Sequence, residues 1–295
     1  MTGQSQRSGS EFRLAAHAKV NLTLEILGKR RDGYHNLSTI MQTLDLHDDV
    51  EVSPADTLSV ECDDPSLAGE SNLAFAAARR LGEAAGVESG AGIRIVKRIP
   101  VAAGLAGGSS DAAAVLRGLN RLWGLEMSHG ALEEVAASVG SDVPFFLTGG
   151  TALVQGRGEH VVALPPAPID WVVVLSPDIR VENKTRALYG RLTEGDFTRG
   201  VLTHKLAGRI RGGGDAPSQF FFNAFEPHAE AAYTGFAEAR EAFKRVGAAG
   251  ILMCGAGPAM FAVAPSREIG LAWQLMLERQ HGMRAYLARC CQPEA

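Results

Sequence analysis

The stretch P-V-A-A-G-L-A-G-G-S-S-D-A-A-A-V-L, residues 100–116, decides how this chain is read. Residues 93–99 ahead of it read as a strand, residues 100–108 as a glycine-rich turn, and from Ser109 onward helix propensity is strong, with Ser and Asp at its start. A strand, a glycine loop and a helix N-terminus thus follow in order. Glycines let backbone N–H groups approach an anion closely, two serines add hydroxyl donors, and the helix dipole places roughly half a positive charge at its N-terminus. A phosphate fits such a loop. On spacing alone a glycine turn capped by serine fits as well, and both readings stand.

Two familiar nucleotide signatures are missing. No Lys follows the glycines as the pattern G-x-x-x-x-G-K-[ST] requires, and no H-R-D-L-x-x-x-N catalytic loop occurs. Gly255-Ala256-Gly257 lacks the third glycine of a dinucleotide fingerprint, because position 260 is Met.

Working outward from the loop, 295 residues exceed what one core usually supports, so two domains are expected. Hydrophobic residues make up 46% and charged residues 21%, ample for packed cores. A net charge of -4 argues against a protein that grips nucleic acid. Four cysteines, at positions 62, 254, 290 and 291, form no C-x-x-C pair and suit a reducing cytosol, which predicts a cytoplasmic protein. No apolar run approaches the roughly 18 residues that span a bilayer, and none resembles a signal peptide. Residues 1–11 read as a loose polar tail.

Residues 12–27 read as a strand, with period-two alternation from Val20. Residues 28–37, G-K-R-R-D-G-Y-H-N-L, read as a charged loop, followed by a mixed run and a short strand at 49–53. A helix is expected over 72–86, with its apolar face on Leu73, Ala77, Ala78 and Leu81, and another over 128–139. Residues 140–150 read as a turn. The proline-rich stretch P-P-A-P-I-D after Leu164 predicts a boundary, giving domains over 12–164 and 165–295. The second half alternates helices and strands as an α+β layer does, ending in strands at 250–253, 259–264 and 284–287 around a helix at 268–281.

Lys19, in A-K-V-N-L, and Asp142, after the second helix, form a further candidate pair. Phosphoryl transfer to an alcohol needs a carboxylate to accept the hydroxyl proton and cations to hold the migrating charge. Taken singly, each also has an ordinary reading: a snorkelling strand lysine, and an Asp capping a turn beside Pro144.

The combination A-K-V-N-L at 18–22, R-D-G-Y-H-N-L at 31–37, the 100–116 loop, V-G-S-D-V-P-F-F at 139–146 and C-G-A-G-P-A-M-F-A at 254–262 closely resembles the GHMP kinase superfamily. The likeness runs from about residue 13 to 288. It implies an α+β protein of two domains, the N-terminal one like a ribosomal-protein α/β domain and the C-terminal one ferredoxin-like. It also implies ATP, handled with Mg2+, as phosphate donor. Within the superfamily, the text from A-K-x-N-L through G-Y-H to V-G-x-D-V-P-F-F is most similar to the branch whose acceptor is a cytidine-diphosphate-linked methylerythritol, phosphorylated on its 2-hydroxyl.

Carried over residue by residue, the resemblance makes Pro100, Gly104, Leu105, Ala106, Gly107, Gly108, Ser109 and Ser110 the ATP-phosphate loop, with Lys97 near the nucleoside. Asp142 becomes the general base, with Lys19 beside it and Asn21 holding the acceptor alcohol. Tyr34 and His35 form the cytosine pocket, closed by Tyr189 as a second aromatic. Gly255 and Gly257 line the active site from the second domain. No protein ligand for the metal, no nucleic acid and no membrane are expected. Three departures stand out: Ala at 103 and 106 where relatives often carry glycine, expected to have only a small effect on ATP binding because the backbone N–H groups stay free; Ala224 in N-A-F-E where Asp is usual; and a longer V-E-N-K-T at 181–185.

Overall fold

The structure is a computed structural model that describes residues 11–179, 181 and 184–293. Apart from Glu11, the expected tail lies outside the described residues, as do Glu182 and Asn183 of V-E-N-K-T. In chain order the elements are β1 (Phe12–Lys29), β2 (His35–Pro54), β3 (Ser59–Cys62), α1 (Leu73–Ala85), β4 (Ala91–Val96), α2 (Gly107–Leu122), α3 (His129–Val139), α4 (Val143–Thr148), β5 (Thr151–Gly156) and β6 (His160–Ala163). There follow β7 (Trp171–Ser176), α5 (Lys184–Tyr189), α6 (Val201–Arg211), β8 (Phe222–Asn223), α7 (Glu226–Ala232), α8 (Phe236–Arg245), β9 (Leu252–Met253), β10 (Met260–Ala264), α9 (Arg267–His281) and β11 (Arg284–Arg289).

The chain forms two compact units built from interleaved segments: residues 1–16, 47–98 and 108–147 in the first, and 17–46, 99–107 and 148–295 in the second. The proline-rich stretch after Leu164 falls inside the second unit.

In the first unit the end of β2 pairs antiparallel with β4, from Asp49 opposite Val96 to Pro54 opposite Ala91, and β3 lies parallel to β4. Helix α1 starts where the Asn72 side chain accepts from Ala74 N, and it stops at Gly86 in the left-handed region (φ 65°). Its buried face is Ala74, Ala77, Ala78 and Leu81, while Leu73 stands exposed, one position off the expected stripe. The expected turn over 140–150 contains helix α4, with Pro144 tolerated in its first turn, where the missing N–H has no partner to lose.

In the second unit β7, β9, β10 and β11 form an antiparallel sheet in the order β11-β7-β10-β9. With α8 ahead of β9 and α9 between β10 and β11, this is the ferredoxin-like order. Strand β7 reads W-V-V-V-L-S without alternation because both its faces are buried: Val172 and Val174 join one apolar cluster with Val20, Leu22 and Phe261, and Val173 and Leu175 another with Phe225, Phe243 and Trp273. The same cause makes β2 one 20-residue strand where the sequence predicts a loop, a mixed run and a short strand. Residues 37–44 are buried without a break, so no period-two signal survives. The loop between β1 and β2 shrinks accordingly to residues 30–34.

Candidate functional site

The glycine loop is held from below by backbone. Lys19 N donates to Leu105 O at 3.2 Å, Ala259 N donates to Ala103 O at 3.1 Å, and Ala103 and Leu105 are buried. Gly104 sits at φ 92°, and a Cβ there would overlap the carbonyl oxygen of Cys254, so the position takes only glycine. Ala106 adopts φ 58°, in the left-handed region. An L-residue there costs about 1–2 kcal/mol in backbone strain, a cost in stability separate from the small effect on ATP binding that the sequence predicts. Helix α2 begins at Gly107. Gly108 is exposed, Ser109 half-buried and Ser110 buried, so Gly108 and Ser109 are the residues of this turn best placed to meet a ligand.

Lys97, expected near the nucleoside, has its ammonium between two carboxylates of the first unit. Its Nζ bridges Asp48 Oδ2 at 2.5 Å and Asp111 Oδ2 at 2.6 Å, and Asp48 Oδ1 also accepts from Arg98 N. Asp48 is fully buried, and Asp111 Oδ1 has no hydrogen-bond partner. Burial, aided by the charge of Asp48 and opposed by Lys97, pushes the Asp111 carboxyl up to about 7. Burial works against the Lys97 ammonium, but the two carboxylates outweigh it and raise its pKa.

On β1, Ala18, Val20 and Leu22 point into an apolar cluster while Lys19, Asn21 and Thr23 point to the other face, which is also buried. Lys19 is 3% exposed, so its stem does not snorkel to water. Its Nζ donates to Asn21 Oδ1 at 2.7 Å, Asn21 Nδ2 donates to Thr39 Oγ1 at 2.8 Å, and the Thr39 hydroxyl donates to Thr23 O. A buried cation is thereby fixed in direction by a satisfied polar chain. Asp142 belongs to the first unit, half-buried, immediately before α4.

The turn 254–259 lies against both Lys19 and the loop. Gly255 (φ 50°) brings its backbone so close that a Cβ would stand 3.2 Å from Lys19 Nζ and 3.5 Å from Asn21 Oδ1. Three successive carbonyls of this turn are each held by a different side chain: Gly255 O by Asn223 Nδ2 at 2.8 Å, Ala256 O by the Tyr233 hydroxyl at 2.5 Å, and Gly257 O by Lys184 Nζ. Glu226 of N-A-F-E accepts from Met253 N, and Ala224 is buried, its N–H bonded to Leu24 O at 2.9 Å.

The expected base pocket gathers a set of aromatic rings. His35 stacks on Tyr189 with centroids 4.9 Å apart, Phe197 meets His35 edge-on at 6.0 Å, and Phe225 meets Tyr189 at 4.9 Å. Burial, with Lys29 nearby, lowers the His35 pKa and keeps the ring neutral, with both a donor and an acceptor nitrogen. Tyr34 is 55% exposed, and the Arg157 guanidinium lies 5.0 Å from its ring centroid. Asp48, Arg157 and Tyr233 lie in no motif singled out in the sequence, and Asp111, Lys184 and Asn223 lie in quoted stretches without a role of their own; their places arise from pairings across distant parts of the chain.

A glycine loop opening a helix, a buried lysine beside it and a ferredoxin-like second layer define a small-molecule kinase of the GHMP type. The family description "GHMP kinases N terminal domain" matches residues 72–150, and "GHMP kinases C terminal" matches residues 205–275. The 4-diphosphocytidyl-2-C-methyl-D-erythritol kinase of Dehalococcoides mccartyi is 41% identical over 281 residues, covering 95% of this chain and 98% of the relative. That of Symbiobacterium thermophilum is 44% identical over 264 residues, covering 87% and 92%. A crystal structure of 4-(cytidine 5'-diphospho)-2C-methyl-D-erythritol kinase superposes with a TM-score of 0.79 at 34% identity, covering 94% of this chain and 98% of that one. A homoserine kinase from Cytophaga hutchinsonii, at 20% identity and a TM-score of 0.75, shares the fold. The chain belongs to the 4-diphosphocytidyl-2-C-methyl-D-erythritol kinase family.

Proposed function

We propose that this chain transfers the terminal phosphate of ATP to the 2-hydroxyl of 4-diphosphocytidyl-2-C-methyl-D-erythritol, releasing ADP and the 2-phosphate, in the cytoplasmic supply of isoprenoid precursors by the non-mevalonate route. The observation that carries this reading is the near full-length likeness to kinases of that name. The aromatic group around His35 and Tyr189 supports it, because a nucleobase acceptor needs stacking faces and a neutral hydrogen-bonding ring.

In this reading the backbone N–H groups of the 104–109 loop hold the phosphates of ATP. Asp142 accepts the proton of the 2-hydroxyl as its oxygen attacks phosphorus, and the bond to the ADP oxygen breaks. Lys19, aimed by Asn21, stabilises the charge that builds on the oxygens in transfer. Tyr34 and Tyr189 flank the cytosine and His35 reads its edge. Gly255 and Gly257 let the backbone approach the reacting groups. Among the described residues no group of three or more His, Cys, Asp or Glu is arranged to hold a metal ion. In this reading Mg2+ would accompany ATP and offset the charge of its phosphates. No helix of the described residues is long and apolar enough to cross a membrane.

The test is ATP consumption by purified protein with Mg2+, offering the cytidine-linked alcohol, mevalonate, homoserine or galactose. Turnover confined to the first supports the reading. Turnover of another alcohol leaves a GHMP kinase with a different pocket, and turnover of none removes the assignment.

A further inference from the structure

Lys184, the first residue of α5, is the Lys of V-E-N-K-T and has no role in the sequence reading, yet its ammonium ends at the same turn as Lys19. Its Nζ donates to Gly257 O, and two residues earlier Gly255 packs against Lys19 Nζ and Asn21 Oδ1. The groups facing the Lys184 ammonium are Lys19 from β1, Cys254 from the start of the turn and the Gly257 carbonyl. Cys254 is fully buried, and burial raises its thiol to about 12, so it supplies no negative charge at neutral pH. Among the described residues no carboxylate lies within ion-pair distance of Lys184. Among the described residues, one neutral carbonyl is all that offsets a half-buried cation whose charged neighbour is a second cation. An anion bound at this turn would offset the repulsion that the Lys184 ammonium feels from Lys19. The chain builds this arrangement against the glycine turn that also carries the 104–107 loop.

We infer that Lys184 is a second phosphate-binding cation beside Lys19, contacting a phosphate oxygen of the bound substrates. This rests on the kinase reading above. The oxygen belongs either to the diphosphate of the cytidine-linked acceptor or to the terminal phosphate of ATP, and kinetics separate the two.

The experiment uses the full chain with Lys184→Met, which keeps length and removes charge, and Lys184→Arg, which keeps charge. KM for each substrate, kcat and Tm are measured from pH 6.5 to about 9.5. Lys184→Met is expected to raise one KM about tenfold or more. A rise in the acceptor KM alone assigns the acceptor diphosphate; a rise in the ATP KM alone, or a fall in kcat at constant KM, assigns the phosphate in transfer. Burial, with Lys19 adding repulsion, lowers the Lys184 ammonium to about 8. A group charged below that value and neutral above it loses its hold on an anion as pH rises through 8. The affected KM of the unaltered enzyme should therefore climb above pH 8, and this limb should disappear in Lys184→Arg, whose guanidinium stays charged.

Constants all unchanged within twofold overturn the inference. So do Met and Arg variants that fail alike with lowered Tm and no change in the pH limb, since that is a prop for Gly257 and nothing more. If the unaltered enzyme phosphorylates no cytidine-linked acceptor, the functional reading falls separately. Calorimetric titration with ADP and with CDP then decides: weaker binding of either to Lys184→Met keeps the phosphate contact, and equal binding of both ends it.

Discussion

Gly104 and Ala106 lie two residues apart and respond to substitution in opposite senses. At Gly104 a methyl group meets the Cys254 carbonyl and the φ of 92° is one that L-residues avoid, so both backbone and neighbour must move. Gly104→Ala should cost about 2 kcal/mol or more and raise the KM for ATP, since the displaced segment is the one that presents N–H groups. At Ala106 the methyl already occupies a left-handed residue at φ 58°. Glycine there relieves about 1–2 kcal/mol of strain and returns about 0.4–1 kcal/mol to unfolded-chain entropy. Ala106→Gly should accordingly raise Tm by a few degrees, about 1–4 °C, in a calorimetric scan; a lowered Tm would show that the strain has been relaxed elsewhere. Asp142→Asn belongs to the same scale. Removing the proton acceptor should lower kcat by about two to four orders of magnitude with the ATP affinity kept, and unchanged turnover would take Asp142 out of the mechanism.

At the scale of elements, the start of α2 is fixed by buried charge. Asp111 in its first turn, Lys97 after β4 and Asp48 on β2 form a buried cluster with two carboxylates and one ammonium. The proton on Asp111 is what makes the sum neutral. Its folded pKa, about 7, lies above the ordinary value of 3.8, so the folded state holds the proton more tightly, and stability contributed at low pH is lost as pH rises from about 4 through 7. Asp111→Asn lacks this titration, so its Tm relative to the unaltered chain should improve between pH 5 and pH 8; a difference that stays flat or worsens would mean the carboxylate is ionised throughout. Such clusters explain what could and could not be read from the text. The glycine loop, the A-K-V-N-L strand and the helices over 72–86 and 128–139 are legible because their chemistry is local. The Lys97–Asp48 pair is not legible because its members are 49 residues apart, and Lys184 is given no role because its partner Gly257 is 73 residues away. Strand β2 escapes for another reason: burial on both faces erases the alternation by which strands are recognised.

For the whole molecule, the interleaving of the chain bears on where it can be cut. A division at residues 164–165 follows the composition, with prolines where linkers often lie. The apolar clusters of the second unit follow a different rule. Val172, Val174 and Phe261, from beyond the prolines, pack with Ala18, Val20, Leu22, Ile40 and Leu44 from β1 and β2 and with Leu105 from the glycine loop. Phe225 and Phe243 share the second cluster with Leu24 and Ile26. Strand β8 pairs with β1 through Thr23 and Leu24. A fragment comprising residues 165–295 leaves these partners behind and exposes one face of β7 and β10 to water. Large buried side chains contribute about 1.5–3 kcal/mol each, and a domain is stable by only about 5–15 kcal/mol, so losing several such contacts exceeds the margin. The fragment expressed alone should aggregate or bind a hydrophobic dye and show no cooperative melting by calorimetry, whereas the full chain melts cooperatively. A sharp transition in the isolated fragment would establish residues 165–295 as a self-sufficient domain and make the contributions of β1 and β2 to its core dispensable.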